Sequence, residues 1–136
     1  MRGNGLALPL ARGKGQWAMG TGFHDLQVWQ EAKALAVDVY HATATLRDLA
    51  LRDQIRRAAV SIASNIAEGD ERSSDKDSVR FFYIAKGSIA ELRTQLEIAI
   101  EVELLPRDKS EVLLSSAASL ARRLGALIKT RSDHSI

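Results

Sequence analysis

Arg52, Arg56 and Arg57 are the residues of this chain best suited to chemistry with a charged partner. Arginine presents a planar fork of N–H donors that matches phosphate and carboxylate oxygens. Arg52 and Arg56 stand one helical turn apart and Arg57 adjoins them, so a helix there would carry all three cations within two turns. Binding of RNA or single-stranded DNA is the chemistry this suggests. The competing role is ion pairing, Arg57 with Asp53 at i−4 and Arg52 and Arg56 with acids of a neighbouring subunit. Lys76 and Arg80, just after Arg72, extend the candidate nucleic-acid-binding set. Glu71, Asp75 and Asp77 are interleaved with them, and a solvated charged face is the alternative.

Residues with catalytic potential form no working set. Asn65 and Glu68 resemble an active-site pair, but the reading preferred here is that Asn65 bonds across to another helix and Glu68 meets an arginine, since buried polar groups need partners. Asp38 and His41 have the i, i+3 spacing of a carboxylate–histidine metal motif. A di-iron bundle needs two such motifs and further glutamates. Arg131 and His134 lie too close in sequence for the Arg…His pairs of helical ribonucleases. Glu97, Glu101 and Glu103 suggest a magnesium site, yet Arg93 stands one turn before Glu97 and no second acidic helix is evident. No G-x-x-x-x-G-K, G-x-S-x-G or H-E-x-x-H occurs, and there is no cysteine for a thiolate metal site, a nucleophile or a disulfide. The expectation is a protein that is not an enzyme, with no catalytic residue, no metal and no cofactor.

Four helical stripes must position these residues. Val28, Trp29, Ala32, Leu35, Ala36, Val39, Tyr40 and Thr43 recur at 3- and 4-residue steps, predicting a first helix over 25–46 with Asp25 as N-cap. A second helix runs from Leu49 or Leu51 to Glu68 on Ile55, Ala59, Ile62 and Ile66, with Gly69 as the left-handed residue that ends it. Its flank of Val60, Ala63 and Ala67 widens the apolar arc beyond one core face, so this flank is read as a subunit interface. Ser73 and Ser74 open a third helix that carries Phe82, Ala85, Ile89, Leu92, Leu96 and Ile100 to about Leu104, where Pro106 stops it. Gly87 and Ser88, costly in mid-helix, imply close approach to a neighbouring helix. Asp108 and Glu111 have capping-box spacing for a fourth helix, on Leu113, Ala117, Leu120, Leu124, Leu127 and Ile128, ending near Arg131. No strand-period segment appears. The short connections predict an all-α, antiparallel up-and-down four-helix bundle over 23–136.

Charge divides the chain differently from its total. The 136 residues carry a net +2, but Arg2, Arg12 and Lys14 lie in residues 1–22, which hold no acid. Residues 23–136 are therefore nearly balanced, with 16 basic and 17 acidic side chains. Six of the nine glycines fall in 1–22, which reads as a flexible Gly-rich basic tail. Leu6–Ala11 is too short and interrupted for a secretory signal, and no serine precedes Ser61, unlike a transit peptide. No run of 18 apolar residues occurs for a membrane span. A cytoplasmic protein with no membrane association is expected.

Three blocks then carry a family likeness. Phe23-His24-Asp25-Leu26-Gln27-Val28-Trp29 resembles the F-x-D-L-x-V-W opening of a bacterial family of four-helix-bundle proteins encoded by intervening sequences of 23S ribosomal RNA genes. Residues 51–69 resemble its L-x-x-Q-x-R-R-A-x-x-S-I-x-x-N-I-A-E-G block, and residues 81–96 its F-x-x-I-A-x-G-S-x-x-E-L-x-T-Q-L helix. Ala63 stands where the family often has proline, which implies a less kinked second helix. The 46–51 connection is shorter than usual, and 1–22 has no counterpart. The resemblance implies a closed ring of five bundles, a homopentamer around a central channel. It also places the chain in the superfamily of the accessory protein of diversity-generating retroelements, which binds nucleic acid and a reverse transcriptase through a positive ring surface. No enzymatic activity is implied. Two roles stay open: scaffolding of RNA or single-stranded DNA, and an adaptor that docks a protein partner without nucleic acid.

Overall fold

Each predicted stripe supplies most of the buried face of a helix. The computed structural model describes residues 22–134. After a 3-10 turn at Gly22–Asp25 come α1 (Gln27–Ala42), α2 (Leu49–Asp70), α3 (Asp75–Glu101) and α4 (Arg107–His134), and no strand occurs among the described residues. Residues 1–21, nearly all of the expected tail, lie outside the described residues. Val28, Ala32, Leu35 and Val39 of α1 meet Ile55, Ala59, Ile62 and Ile66 of α2 in one core. Phe82, Ile89, Leu92 and Leu96 of α3 and Leu113, Ala117, Leu120, Leu124 and Ile128 of α4 complete it. Full burial of each Leu, Ile or Phe is worth about 1.5–3 kcal/mol.

The helices close a four-membered circuit in which α1 and α3 each pack on both α2 and α4. Contacts between helices run in opposite directions. Arg56 near the start of α2 reaches Thr43 just past the end of α1. Gly69 at the end of α2 lies against Phe82 near the start of α3. Arg131 near the end of α4 holds Asp70 at 2.9 Å, and Arg123 holds Glu31 of α1 at 3.0 Å. The connections fall at 43–48, 71–74 and 102–106, the first and last longer than the sequence suggests and the middle one shorter.

Helix ends depart from the sequence reading, each for a local reason. Asp25 is not the N-cap of α1. Phe23 stacks on His24 at 4.2 Å and meets Trp29 edge-on at 5.0 Å, which turns the chain before the helix begins. Leu26 takes the cap position, with no side-chain cap. α1 stops at Ala42 rather than 46 because the buried Thr43 folds back, its hydroxyl donating to the Val39 carbonyl at 2.7 Å, while Leu46 turns into the core. Asp48 accepts from Leu51 N–H at 3.0 Å and so starts α2. Asp108 and Glu111 form no capping box: Asp108 accepts from Lys109 N–H and Glu111 pairs with Arg107 at 3.5 Å. α4 runs on to His134.

Glycine 69 is not the terminating residue either. It lies inside α2, where a Cβ would sit 2.7 Å from Phe82 Cε1 and 3.0 Å from the Ser78 carbonyl oxygen. Ser78 donates to the Gly69 carbonyl at 2.6 Å, which fixes this approach. Gly87, expected at a close contact, has nothing within 4 Å of a built Cβ among the described residues. Its neighbour Ser88 is the one that packs, 3.0 Å from Ser61 of α2. The left-handed terminator is instead Glu103 (φ 62°), which closes α3 three residues earlier than expected. Leu104 N–H bonds the Ala99 carbonyl at 2.8 Å and Glu103 N–H that of Ile100 at 3.0 Å, a Schellman ending built without glycine.

Three substitutions test these assignments by urea unfolding followed by circular dichroism. Gly69→Ala lowers stability by about 1–3 kcal/mol, since overpacking outweighs alanine's helix preference of ~1 kcal/mol. Gly87→Ala, with open space around it, raises stability by about 0.5–1 kcal/mol. Glu103→Gly raises it by about 1 kcal/mol by removing the left-handed strain. A Gly69→Ala protein as stable as the parent contradicts the close α2–α3 approach.

Candidate interaction surfaces

The second and third turns of α2 place the three arginines in unlike surroundings. Arg52 lies 3.4 Å from Asp53. Arg56 is half-buried and turned onto the end of α1. Its Nε donates to Thr43 Oγ1 at 2.9 Å, one terminal nitrogen donates to the Tyr40 carbonyl at 3.1 Å, and the guanidinium stacks over the Tyr40 ring at 4.4 Å. It therefore supplies a donor to the Tyr40 carbonyl in the last turn of α1, where the helix itself offers none. Arg57 is exposed and makes no hydrogen bond or ion pair among the described residues, its expected contact with Asp53 included. It separates two recesses. One, of about 470 Å³, is lined by Tyr40, Asp53, Arg56, Val60 and Ser61; the other, of about 400 Å³, by Gln54, Ala58, Ser61 and Glu91.

Lys76 and Arg80 do not join this set. They begin α3 at the opposite end of the bundle, beyond the last turn of α2, about 20 Å along that helix from Arg57. Arg80 pairs with Asp77 at 3.5 Å and Arg72 with Glu68 at 2.6 Å, and both guanidinia flank the Phe81 ring, at 4.6 and 4.4 Å. Asp70 is held by Arg131. Lys76 is the exception, exposed and without an ion pair among the described residues. Acids and bases at this end thus neutralise one another.

Asn65 donates to the carbonyl and hydroxyl of Ser61 on its own helix, at 2.9 and 3.0 Å, rather than across the bundle. Ser61 then carries the link to Ser88 of α3. Glu68 does meet an arginine, Arg72. Asp38, His41, Glu97 and Glu101 are exposed, and no group of three His, Cys, Asp or Glu capable of holding a metal occurs among the described residues. Nor is any described helix long and apolar enough to cross a membrane.

The expected interface residues Val60, Ala63 and Ala67 line an open groove of about 640 Å³ between α1 and α2. Trp29, Ala36, Val37 and Tyr40 form its other wall, Phe23 stands at one end, and Lys33 lies 5.5 Å over the Trp29 ring. Sequence reasoning assigned Trp29, Ala36 and Tyr40 to the core; they occupy its flank, and Val37 beside them is 46% exposed. The signal was present in the breadth of the α1 stripe. Two further exposed apolar pairs were missed altogether: Tyr83 and Ile84 on α3, and Ile98 and Val102 about 20 Å farther along at its end, each residue at least 45% exposed.

Comparison with known proteins bears on the fold and the lineage. A crystal structure from Bacteroides thetaiotaomicron, of a protein of unknown function from the S23 ribosomal protein family, superposes with a TM-score of 0.71 at 24% identity. The match covers 75% of this chain and 98% of that one, so the bundle is shared. No curated protein matches the chain. A family model matches residues 24–126, from the aromatic turn before α1 through most of α4, and the chain therefore belongs to the 23S rRNA-intervening sequence protein family.

Proposed function

We propose that this protein is a non-catalytic, cytoplasmic scaffold that assembles with copies of itself into a closed ring, a pentamer, and presents Arg52 and Arg57 to RNA or single-stranded DNA. The observation that carries the assembly is the open apolar α1–α2 groove, and the exposed pairs Tyr83/Ile84 and Ile98/Val102, about 20 Å apart along α3, offer unlike apolar residues for it to meet. A ring requires a heterologous contact, in which two different patches of one subunit meet on successive copies. A two-fold dimer would need only one self-complementary patch. Exposed apolar clusters of this kind mark interaction sites.

Arg57 supports the nucleic-acid reading because its guanidinium is exposed and without a partner among the described residues. Arg56 is engaged by α1 and serves the bundle. Arg80 and Lys76 lie at the far end of the bundle, whereas Arg52, although paired with Asp53, stands beside Arg57. Repetition around a ring would multiply the field of Arg52 and Arg57 although the subunit is nearly neutral.

Light scattering of the full chain at micromolar concentration should give a multiple of its 14.9 kDa mass, five-fold for the pentamer. Val60→Glu should return the mass to one subunit while helical circular dichroism is retained. A monomer mass for the parent protein overturns the assembly. For nucleic acid, Arg52→Ala/Arg57→Ala should weaken binding of single-stranded RNA and make the log–log salt dependence shallower by roughly 0.7 for each phosphate that is no longer neutralised. Equal binding by parent and variant removes that role, and an intact ring without RNA affinity favours a protein-docking adaptor.

A further inference from the structure

Between Glu111 and Asp133 the fourth helix carries Arg122, Arg123, Lys129 and Arg131 and not one acid. Two of these cations have acidic partners, Arg123 in Glu31 and Arg131 in Asp70. Arg122 and Lys129 are exposed, seven residues apart on one face, about 10 Å along the axis. Neither makes an ion pair or hydrogen bond among the described residues.

Gly125 sits between them on the same face, and Lys86 of α3 fills the gap. The Lys86 ammonium lies 3.9 Å from where a Gly125 Cβ would stand. With no side chain at 125, the lysine lies across α4 and sets a third cation between the other two. Arg93, two turns along α3 from Lys86, continues the row, exposed and likewise without a partner among the described residues. Ala90, Ala118 and Ala126 are the small residues around it. Glu91 is turned the other way, onto the α2 side, where it lines the recess beside Arg57. Glu97 and Asp133, each one turn beyond a terminal cation, bound the strip at its two ends. Since the circuit of helices pairs α1 with α2 and α3 with α4, the strip lies opposite the α1–α2 groove.

We propose that the α3–α4 seam, through Lys86, Arg93, Arg122 and Lys129, is a second binding surface that tracks the phosphate backbone of double-helical nucleic acid. Four cations in line on a floor of alanine and glycine allow close approach to a row of phosphates and offer nothing to read a base. Single strands are gripped by successive aromatic rings on which bases stack, and beside the strip there is one ring, Tyr83 at the Lys86 end. A lipid surface would call for several large apolar side chains beside the cations, and here Tyr83, one turn from Lys86, is the one large side chain among Ala and Gly. The strip shares no residue with Arg52 and Arg57 and stands whether or not they bind single strands.

The test uses the full chain and a mixed-sequence RNA duplex of about 20 base pairs, followed by fluorescence anisotropy across a salt series. Lys86→Gln/Arg122→Gln/Lys129→Gln should lose at least tenfold in affinity at 0.1 M salt. Its log–log salt slope should be shallower by about 2.7, three phosphate contacts at roughly 0.9 each. Arg47→Gln/Arg107→Gln/Lys109→Gln, with the same change of net charge, should stay within about threefold of the parent. Failure of the parent to bind duplex at 0.05 M salt, equal losses in both variants, or no loss in the first overturns the strip. So does tighter binding to phosphatidylserine vesicles or to an acidic polyglutamate peptide than to the duplex. Arg52→Ala/Arg57→Ala should leave duplex binding by the strip within about threefold while reporting separately on single strands.

Discussion

The close approach of α2 to α3 is the constraint on which the other placements depend. At Gly69 the two helices come so near that a methyl group would strike the Phe82 ring and the Ser78 carbonyl, and Ser78 closes the gap with a hydrogen bond. Two turns earlier, Ser61 and Ser88 meet across the same seam and Asn65 ties into Ser61. These contacts fix both the rotation and the register of α2. With Ile55, Ala59, Ile62 and Ile66 held toward the core, Arg56 must fall beside the end of α1 and Arg57 must face out. Val60 and Ala63 are carried to the α1 side, where they make one wall of the groove.

Charge in this bundle is organised by who has a partner. Arg72, Arg80, Arg123 and Arg131 each hold an acid, and Arg56 holds the end of a helix. Exposed pairs such as Arg80–Asp77 are worth little, about 0–1 kcal/mol, but they cancel the local field. Cations without such partners therefore matter more than the total. Along α4 the acid-free run leaves Arg122 and Lys129 uncompensated on a domain whose charges nearly balance. The basic total of the whole chain, owed to Arg2, Arg12 and Lys14, says nothing about that segregation.

Periodicity made the four helices and most of the buried apolar side chains legible in the sequence, because apolar spacing records which face is covered. It did not reveal where helices stop. Thr43 fits the α1 stripe in spacing and is buried, yet its hydroxyl bonds back to Val39 and ends the helix. Gly69 has the composition of a terminator but serves helix packing, while Glu103 takes the left-handed position that glycine usually fills. Such choices are settled by competing hydrogen bonds and by contacts with distant segments. The arginines follow the same logic. Their clustering is visible in one dimension, whereas the Tyr40 carbonyl and the Thr43 hydroxyl reach Arg56 only once α1 and α2 have packed.

The helical circuit also keeps the proposed surfaces apart. Tyr83, Ile84, Ile98 and Val102 stand outward on α3, whereas Lys86 on the same helix lies toward α4. One helix thus presents exposed apolar pairs and a cationic flank, within a turn of each other at Tyr83 and Lys86. A groove docked on Tyr83 and Ile84 would bury uncharged side chains and leave the Lys86 flank in water. Had the cations lain among those apolar residues, assembly would have had to desolvate them without partners, at several kcal/mol each. Under the proposals above, this segregation would let a single short chain offer one face to its own copies and another to a polyanion. In a ring the cationic strips would recur at fixed spacing, one per subunit, so that geometry rather than net charge would select the polyanions able to engage several at once.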